Sequence, residues 1–243
     1  MTGPLELQDV TVAFGGLRAI DNLSVVFGAG EITGLIGPNG SGKSTLVNTV
    51  SGQIRPAAGR IRFAGREITS HRADQIVRAG LARTYQIPRV PPQLTIGEII
   101  GLPLIYVAPH RTPMPGLTDA AAIARFCGLT QPLDRLCAQL PVPDLRRLEI
   151  GRALACAPDT LLLDEVMAGL SPEESSGVVD VVRRIHEAGV SVVVIEHVMR
   201  VIAQLCHRVV VLNNGRLLAE GVPQAVLRDA GVRESYLGRG FVG

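Results

Sequence analysis

The chain has 243 residues, 47% of them hydrophobic and 19% charged, and its 24 basic and 22 acidic side chains leave a net charge of +2. That length suits one large domain or a domain with a subdomain, and the near balance of charge argues against a nucleic-acid partner. No apolar run reaches the roughly eighteen residues of a membrane span, and Met1-Thr2-Gly3-Pro4-Leu5-Glu6 predicts no signal peptide.

Residues 5–13 alternate loosely (Leu5, Leu7, Val10, Val12) and predict a strand, ended by a turn at Phe14-Gly15-Gly16. Residues 23–27 predict a second strand, and Gly28-Ala29-Gly30 connects it to a buried strand over residues 32–36. Next comes Gly37-Pro38-Asn39-Gly40-Ser41-Gly42-Lys43-Ser44-Thr45, which fits G-x-x-x-x-G-K-[ST], and a helix is expected over 43–50. Glycines let successive backbone N–H groups curl around a phosphate, and the helix N-terminus adds partial positive charge. Lys43 would reach the β- and γ-phosphates, and the Ser44 hydroxyl would ligate Mg²⁺. The pattern predicts binding of a nucleoside triphosphate.

Residues 59–65 predict a short exposed strand, 72–79 a short helix, and 81–85 a strand ending at Gln86. From Pro88 to residue 140 prolines recur, and helical patches such as 119–126 lie between them, with a loop over 109–116. This stretch reads as an inserted helical subdomain. Its apolar run 99–108 is either subdomain core or a contact surface for a membrane partner.

Leu161-Leu162-Leu163 is an apolar strand that delivers Asp164 and Glu165 at its C-terminal end, the pattern of a Mg²⁺-shell carboxylate and a water-polarising one. Ser171 is the expected N-cap of a helix with Pro172 at its first position. A buried strand over 190–195 ends at Glu196-His197, a helix follows over 198–205, and a strand over 208–212 closes at Asn213-Asn214-Gly215. Apolar strands alternating with helices predict a mostly parallel sheet covered on both faces. Ligands of such sheets bind outside the carboxyl ends of the strands, so Gln86, Asp164, Glu165 and His197 are expected to converge on one edge. Cys127, Cys137, Cys156 and Cys206 share no C-x-x-C spacing and read as small buried hydrophobes in a reducing compartment.

With these motifs in place the chain resembles the ATP-binding cassette (ABC) transporter ATPases over nearly its full length. It is most similar to the ATP-binding subunits of branched-chain amino acid uptake transporters. Val12-Ala13-Phe14-Gly15-Gly16-Leu17-Arg18-Ala19, Arg83-Thr84-Tyr85-Gln86, Arg146-Arg147-Leu148-Glu149-Ile150, Ala168-Gly169-Leu170, Ile195-Glu196-His197 and Ser235-Tyr236-Leu237-Gly238 carry the resemblance. It implies an α/β P-loop NTPase fold of ABC type, with a mostly parallel core, an antiparallel β subdomain and an inserted helical subdomain. The expected division is a core of residues 1–87 and 151–243 and a helical subdomain of 88–150.

The resemblance further implies that Phe14 stacks on adenine, that Gln86 senses Mg²⁺ and the attacking water, and that His197 contacts the γ-phosphate. It implies a dimeric, peripheral ATPase at the cytoplasmic face of the membrane. Its expected partners are integral permease subunits, a second cassette and an extracytoplasmic solute-binding protein. One stretch departs from the family. Where a signature such as Leu-Ser-x-Gly-Gln should precede Arg146, this chain has Leu140-Pro141-Val142-Pro143-Asp144. Proline supplies neither hydroxyl nor N–H, and Asp144 adds negative charge. That departure leaves two readings open, a hydrolysing subunit or a weakly or non-hydrolytic partner in a heterodimer. Ser171 also replaces the Asn or Asp of the family's D-loop, and Val166 the proline that usually follows the glutamate.

Overall fold

The computed structural model describes residues 3–111 and 114–237. Met1-Thr2, Thr112-Pro113 of the expected loop and Gly238 of the C-terminal motif lie outside the described residues. The chain folds as two units, Met1–Ile76 with Val193–Gly243, and Val77–Val192.

In the first unit, β1 (Leu5–Phe14) and β2 (Leu17–Phe27) form an antiparallel hairpin around Gly15-Gly16. β2 starts at Leu17 rather than at residue 23, because the tight turn returns the chain directly into pairing, Ala13 opposite Arg18 and Val12 opposite Ile20. β3 (Ile32–Ile36), buried throughout, and α1 (Lys43–Val50) stand where the sequence places them. β4 (Ala58–Phe63) and β5 (Arg66–Glu67) complete an antiparallel sheet in the order β2-β1-β4-β5. β4 is not wholly exposed as expected, since Ile61 and Phe63 face the core. α2 (Ala73–Ala79) ends at Gly80.

The second unit opens with β6 (Leu81–Arg83), paired parallel with β7 (Thr160–Asp164). β6 stops two residues short of the expected Tyr85. The Thr84 N–H still donates to the Leu162 carbonyl at 2.9 Å, but the Thr84 hydroxyl then accepts the Asp164 N–H at 3.1 Å and displaces the backbone ladder. α3 (Ile96–Tyr106) begins at a capping box of Thr95 and Glu98 and carries Pro103 in its last turns. Its run of apolar residues is divided between core and surface. Ile96, Ile99 and Ile100 are buried, whereas Leu102, Ile105 and Tyr106 are 45%, 65% and 66% exposed. α4 (Ala120–Phe126) is capped by Asp119, whose carboxylate accepts the Ala122 N–H at 2.8 Å. α5 (Val142–Leu154) follows, then α6 (Pro172–Glu187), whose start has Ser171 at the N-cap as expected and adds a reciprocal bond from the Ser171 N–H to Glu174. β8 (Ser191–Ile195) is buried throughout.

Returning to the first unit, α7 (Met199–Leu205) leads to β9 (Arg208–Asn213), which lies parallel to β3. Asn214 and Gly215 both take positive φ, 49° and 74°, the turn geometry that matches the twist of paired strands. They fold β10 (Arg216–Gly221) back onto β9. β10 and the closing helices α8 (Pro223–Val226) and α9 (Ala230–Leu237) are additions to the sequence reading, because β10 lacks apolar alternation. Among the described residues no helix is long and apolar enough to cross a membrane.

All four cysteines are free, and Cys127, Cys137 and Cys206 are buried. Burial pushes the Cys127 and Cys206 thiols up to about 12 and Cys156 up to about 11. Thiolate is the reactive form, so folded protein at pH 8 should alkylate at these three positions at least about 100-fold more slowly than urea-unfolded protein. Peptide mapping after iodoacetamide treatment checks this; equal labelling before and after unfolding would refute it.

Candidate nucleotide site

The phosphate loop lies between β3 and α1 in the first unit, and its glycines are dictated by backbone contact. Gly42 has φ 105°, and a Cβ there would meet the Ala19 carbonyl oxygen at 2.6 Å and Ile20 Cδ1 at 2.8 Å. At Gly37, φ 153°, a Cβ would collide with the Leu212 carbonyl oxygen. Lys43 Nζ donates to the carbonyls of Gly37 at 2.7 Å and Pro38 at 3.1 Å, so the ammonium is folded over the loop. Asn39, Gly40 and Ser44 are exposed, while Pro38 and Thr45 are half-buried. The Ser41 hydroxyl is buried and has no hydrogen-bond partner among the described residues. Phe14 ends β1 with 52% exposure. His197 is exposed, with Nδ1 4.0 Å from the buried Glu196 carboxylate. Tyr236, on α9, has its hydroxyl pushed up to about 12 by burial, opposed by a hydrogen bond from the Gly37 N–H.

A second set of site residues belongs to the other unit. Asp164, at the end of β7, is 6% exposed, and Arg83 from β6 pairs with it at 3.0 Å. Burial pulls the Arg83 guanidinium below the ordinary arginine range, and the Asp164 charge opposes that shift. Glu165 takes φ 49°, a left-handed conformation that costs a non-glycine residue roughly 1–2 kcal/mol. Such strain turns its carboxylate out of the β7 ladder. There it accepts a hydrogen bond from Gln86 Nε2 at 2.7 Å. Of the expected convergence of Gln86, Asp164, Glu165 and His197, the contact described is that between Gln86 and Glu165. Val166, in the position of the family's proline, is fully buried.

Residues 20–168 match the family model described as ABC transporter, and residues 216–242 match one described as branched-chain amino acid ATP-binding cassette transporter. This chain is an ABC transporter family member. It is 32% identical over 249 residues to the high-affinity branched-chain amino acid transport ATP-binding protein LivG of Salmonella typhimurium, covering 96% of this cassette and 97% of that protein. BraF of Pseudomonas aeruginosa, a protein of the same description, is 32% identical over 253 residues, with the same shares covered. Among solved structures, a nucleotide-free ATP-binding cassette from an ABC transporter superimposes with a TM-score of 0.86 at 28% identity, over 98% of this cassette and all of that chain. The ADP conformation of the cassette MJ1267 gives 0.84 at 28% identity, with the same coverage. The cassette thus belongs to a family of ATPases that power transport, as its motifs predict.

The loop fits a phosphate on its own chemistry. It offers an unpartnered buried hydroxyl at Ser41, a flexible ammonium at Lys43 and a helix N-terminus without an acidic first turn. The altered signature is resolved in part. Pro141 is the N-cap of α5 and Pro143 lies in its first turn, so both prolines open the helix, where a missing N–H costs little. Asp144 does not stand as an open charge, being 7% exposed and paired with Arg147 at 3.4 Å. Ser171, expected to alter a contact across a dimer, is committed in this chain to the capping box of α6. Sequence reading assigned no role to Arg83, Arg146, Glu149 or Arg152. Their signal was charged residues at i, i+3 and i+6 that are buried or half-buried on one helix, next to a strand-end arginine.

Gly42→Ala should lower stability by more than about 1 kcal/mol, since it combines strained φ with a backbone collision. Gly40→Ala, whose Cβ meets nothing within 4 Å, carries only the cost of its φ of 78° and should lose less. Urea unfolding midpoints compare the two, and equal losses would contradict the contact argument.

Proposed function

We propose that this cassette is the ATP-hydrolysing subunit of an importer for branched-chain amino acids or a related small solute. The phosphate loop carries the reading, with a chain-long likeness to transport ATP-binding proteins beside it. Lys43 holds the β- and γ-phosphates, the loop N–H groups from Gly37 to Thr45 cradle them, and Phe14 stacks on adenine. Ser44, Asp164 and Gln86 would hold Mg²⁺, which would supply neutralisation of charge on the phosphates. Glu165 accepts a proton from the attacking water, and His197 steadies the γ-phosphate. For that, Gln86 must release or share the Glu165 oxygen it now occupies.

The partners proposed are integral permease subunits, a second cassette and an extracytoplasmic solute-binding protein, with this chain peripheral at the cytoplasmic face. Support for a permease contact comes from α3, where Leu102, Ile105 and Tyr106 share one exposed face at helical spacing within the proposed helical subdomain 88–150. A nucleic-acid role has no support in the charge balance.

A second reading rests on α5, whose N-cap and first turn hold Pro141 and Pro143 in place of the hydroxyl and the glycine N–H that, in the family, cap a partner's ATP. Losing one such preorganised donor typically slows turnover by roughly a hundred- to thousandfold. A homodimer should then hydrolyse poorly, and a heterodimer with an intact partner signature should work through Lys43 and Glu165 of this chain.

Lys43→Ala removes a charge-assisted contact worth roughly 1.5–3 kcal/mol, so Mg·ATP affinity by calorimetry should fall at least about tenfold. Unchanged affinity would refute the loop assignment. Glu165→Gln should keep nucleotide and lose turnover; undiminished phosphate release sinks that role. Pro141→Ser with Pro143→Gly should raise turnover of the purified chain, and a parent already as fast rules out the asymmetric heterodimer.

A further inference from the structure

Residues 85–89 carry Gln86 yet belong to no helix or strand. Their backbone polar groups are held instead by side chains from one face of α5. Arg146, Glu149 and Arg152 recur at i, i+3 and i+6, which stacks them along that face. Glu149 is 1% exposed and accepts the N–H groups of Tyr85 at 3.2 Å and Arg89 at 3.0 Å. Arg152 pairs with Glu149 at 2.9 Å and donates to the Arg89 carbonyl at 2.6 Å. Arg146, also buried, donates to the Gln86 carbonyl and, through its other terminal nitrogen, to the Ala168 carbonyl at 3.4 Å. Tyr85 is gripped further by the guanidinium groups of Arg83 and Arg89, 4.5 and 4.4 Å from its ring centre.

Ala168 lies three residues beyond Glu165, in the turn that leaves β7. Arg146 therefore ties together the two loops that carry the two ends of the Gln86–Glu165 hydrogen bond. Its planar fork suits that task, because two carbonyls on different loops need two donors in fixed relation. We infer that Arg146 and Glu149 are positioning residues, which set the separation of Gln86 and Glu165 by fixing both loops to α5. The same helix has Pro141 at its N-cap, so the altered signature and the clamp lie along one continuous helix. This inference rests on the roles of Gln86 and Glu165 proposed above.

Hydrogen exchange of the full chain, followed by mass spectrometry, tests it. Arg146→Ala should raise exchange at least about tenfold over residues 84–90 and 166–170, the range in which loops open locally. Residues 32–50, which belong to neither loop, should exchange as in the parent. Glu149→Gln, nearly isosteric, should loosen 84–90 and leave 166–170 protected, and it keeps the test open should Arg146→Ala not fold. In turnover, kcat should fall while KM holds. Parent-like exchange over 84–90 and 166–170 in folded variants, or loosening spread evenly over the whole chain, would overturn the clamp. The two failures separate cleanly. Full turnover in Glu165→Gln removes the site assignment, whereas an inactive Glu165→Gln beside a fully active Arg146→Ala removes only the positioning role.

Discussion

Backbone packing around the Ala19 carbonyl is the constraint on which the nucleotide site depends. Gly42 and Gly215 both approach that oxygen so closely that a Cβ on either would lie 2.6 Å from it. Around it, the Gly215 N–H donates to the Ser41 carbonyl at 2.9 Å and the Asp21 N–H to the Gly215 carbonyl at 3.0 Å. The phosphate loop, β2 and the β9–β10 turn are thereby fixed to one another by main-chain contact. Side chains can relax to admit an extra atom; main chain in this arrangement cannot. A loop stiffened in this way holds its N–H groups in place before any phosphate arrives, so little ordering is left to binding.

Buried charge is the second organising element. Arg83 with Asp164 and Arg152 with Glu149 are ion pairs in which the acid is almost fully covered. Such pairs add little net stability over apolar residues of the same shape, yet removing one partner strands the other, at roughly 3–5 kcal/mol. Their value lies in direction. Glu149 is held above the ordinary carboxylate range by desolvation, with Arg152 and two backbone N–H groups pulling the other way. A carboxylate satisfied from three sides has one orientation, and so does the loop that satisfies it.

α5 joins several of these elements. Its N-terminal turn holds the altered signature, its middle holds the Gln86 loop, and Arg146 reaches the turn beyond Glu165. The prolines that remove the family's hydroxyl and N–H also start this helix firmly, since Pro141 is its extended N-cap and Pro143 accepts the fixed φ of its first turn. Departure from the family signature and integrity of the helix are thus two consequences of the same residues.

Much was legible in the sequence because it was local. A nine-residue phosphate loop needs its glycines in order, an apolar strand ending in Asp164-Glu165 announces itself, and Ser171-Pro172-Glu173-Glu174 spells a helix start. β3, α1 and the α6 cap followed from patterns contained within one element, and the family resemblance followed from those motifs. What tertiary structure decided was non-local. β2 grew back to Leu17 because β1 stood ready to pair, and β6 ended early because the Thr84 hydroxyl reached Asp164 from 80 residues away. β10 has no alternation to read and exists because β9 offers it an edge. Asp144 looked like an open charge until Arg147 met it, and Glu149 like any polar helix residue until two loop amides pointed at it. Local pattern determines which element forms. Which buried charge finds which partner depends on distances that only the folded chain establishes.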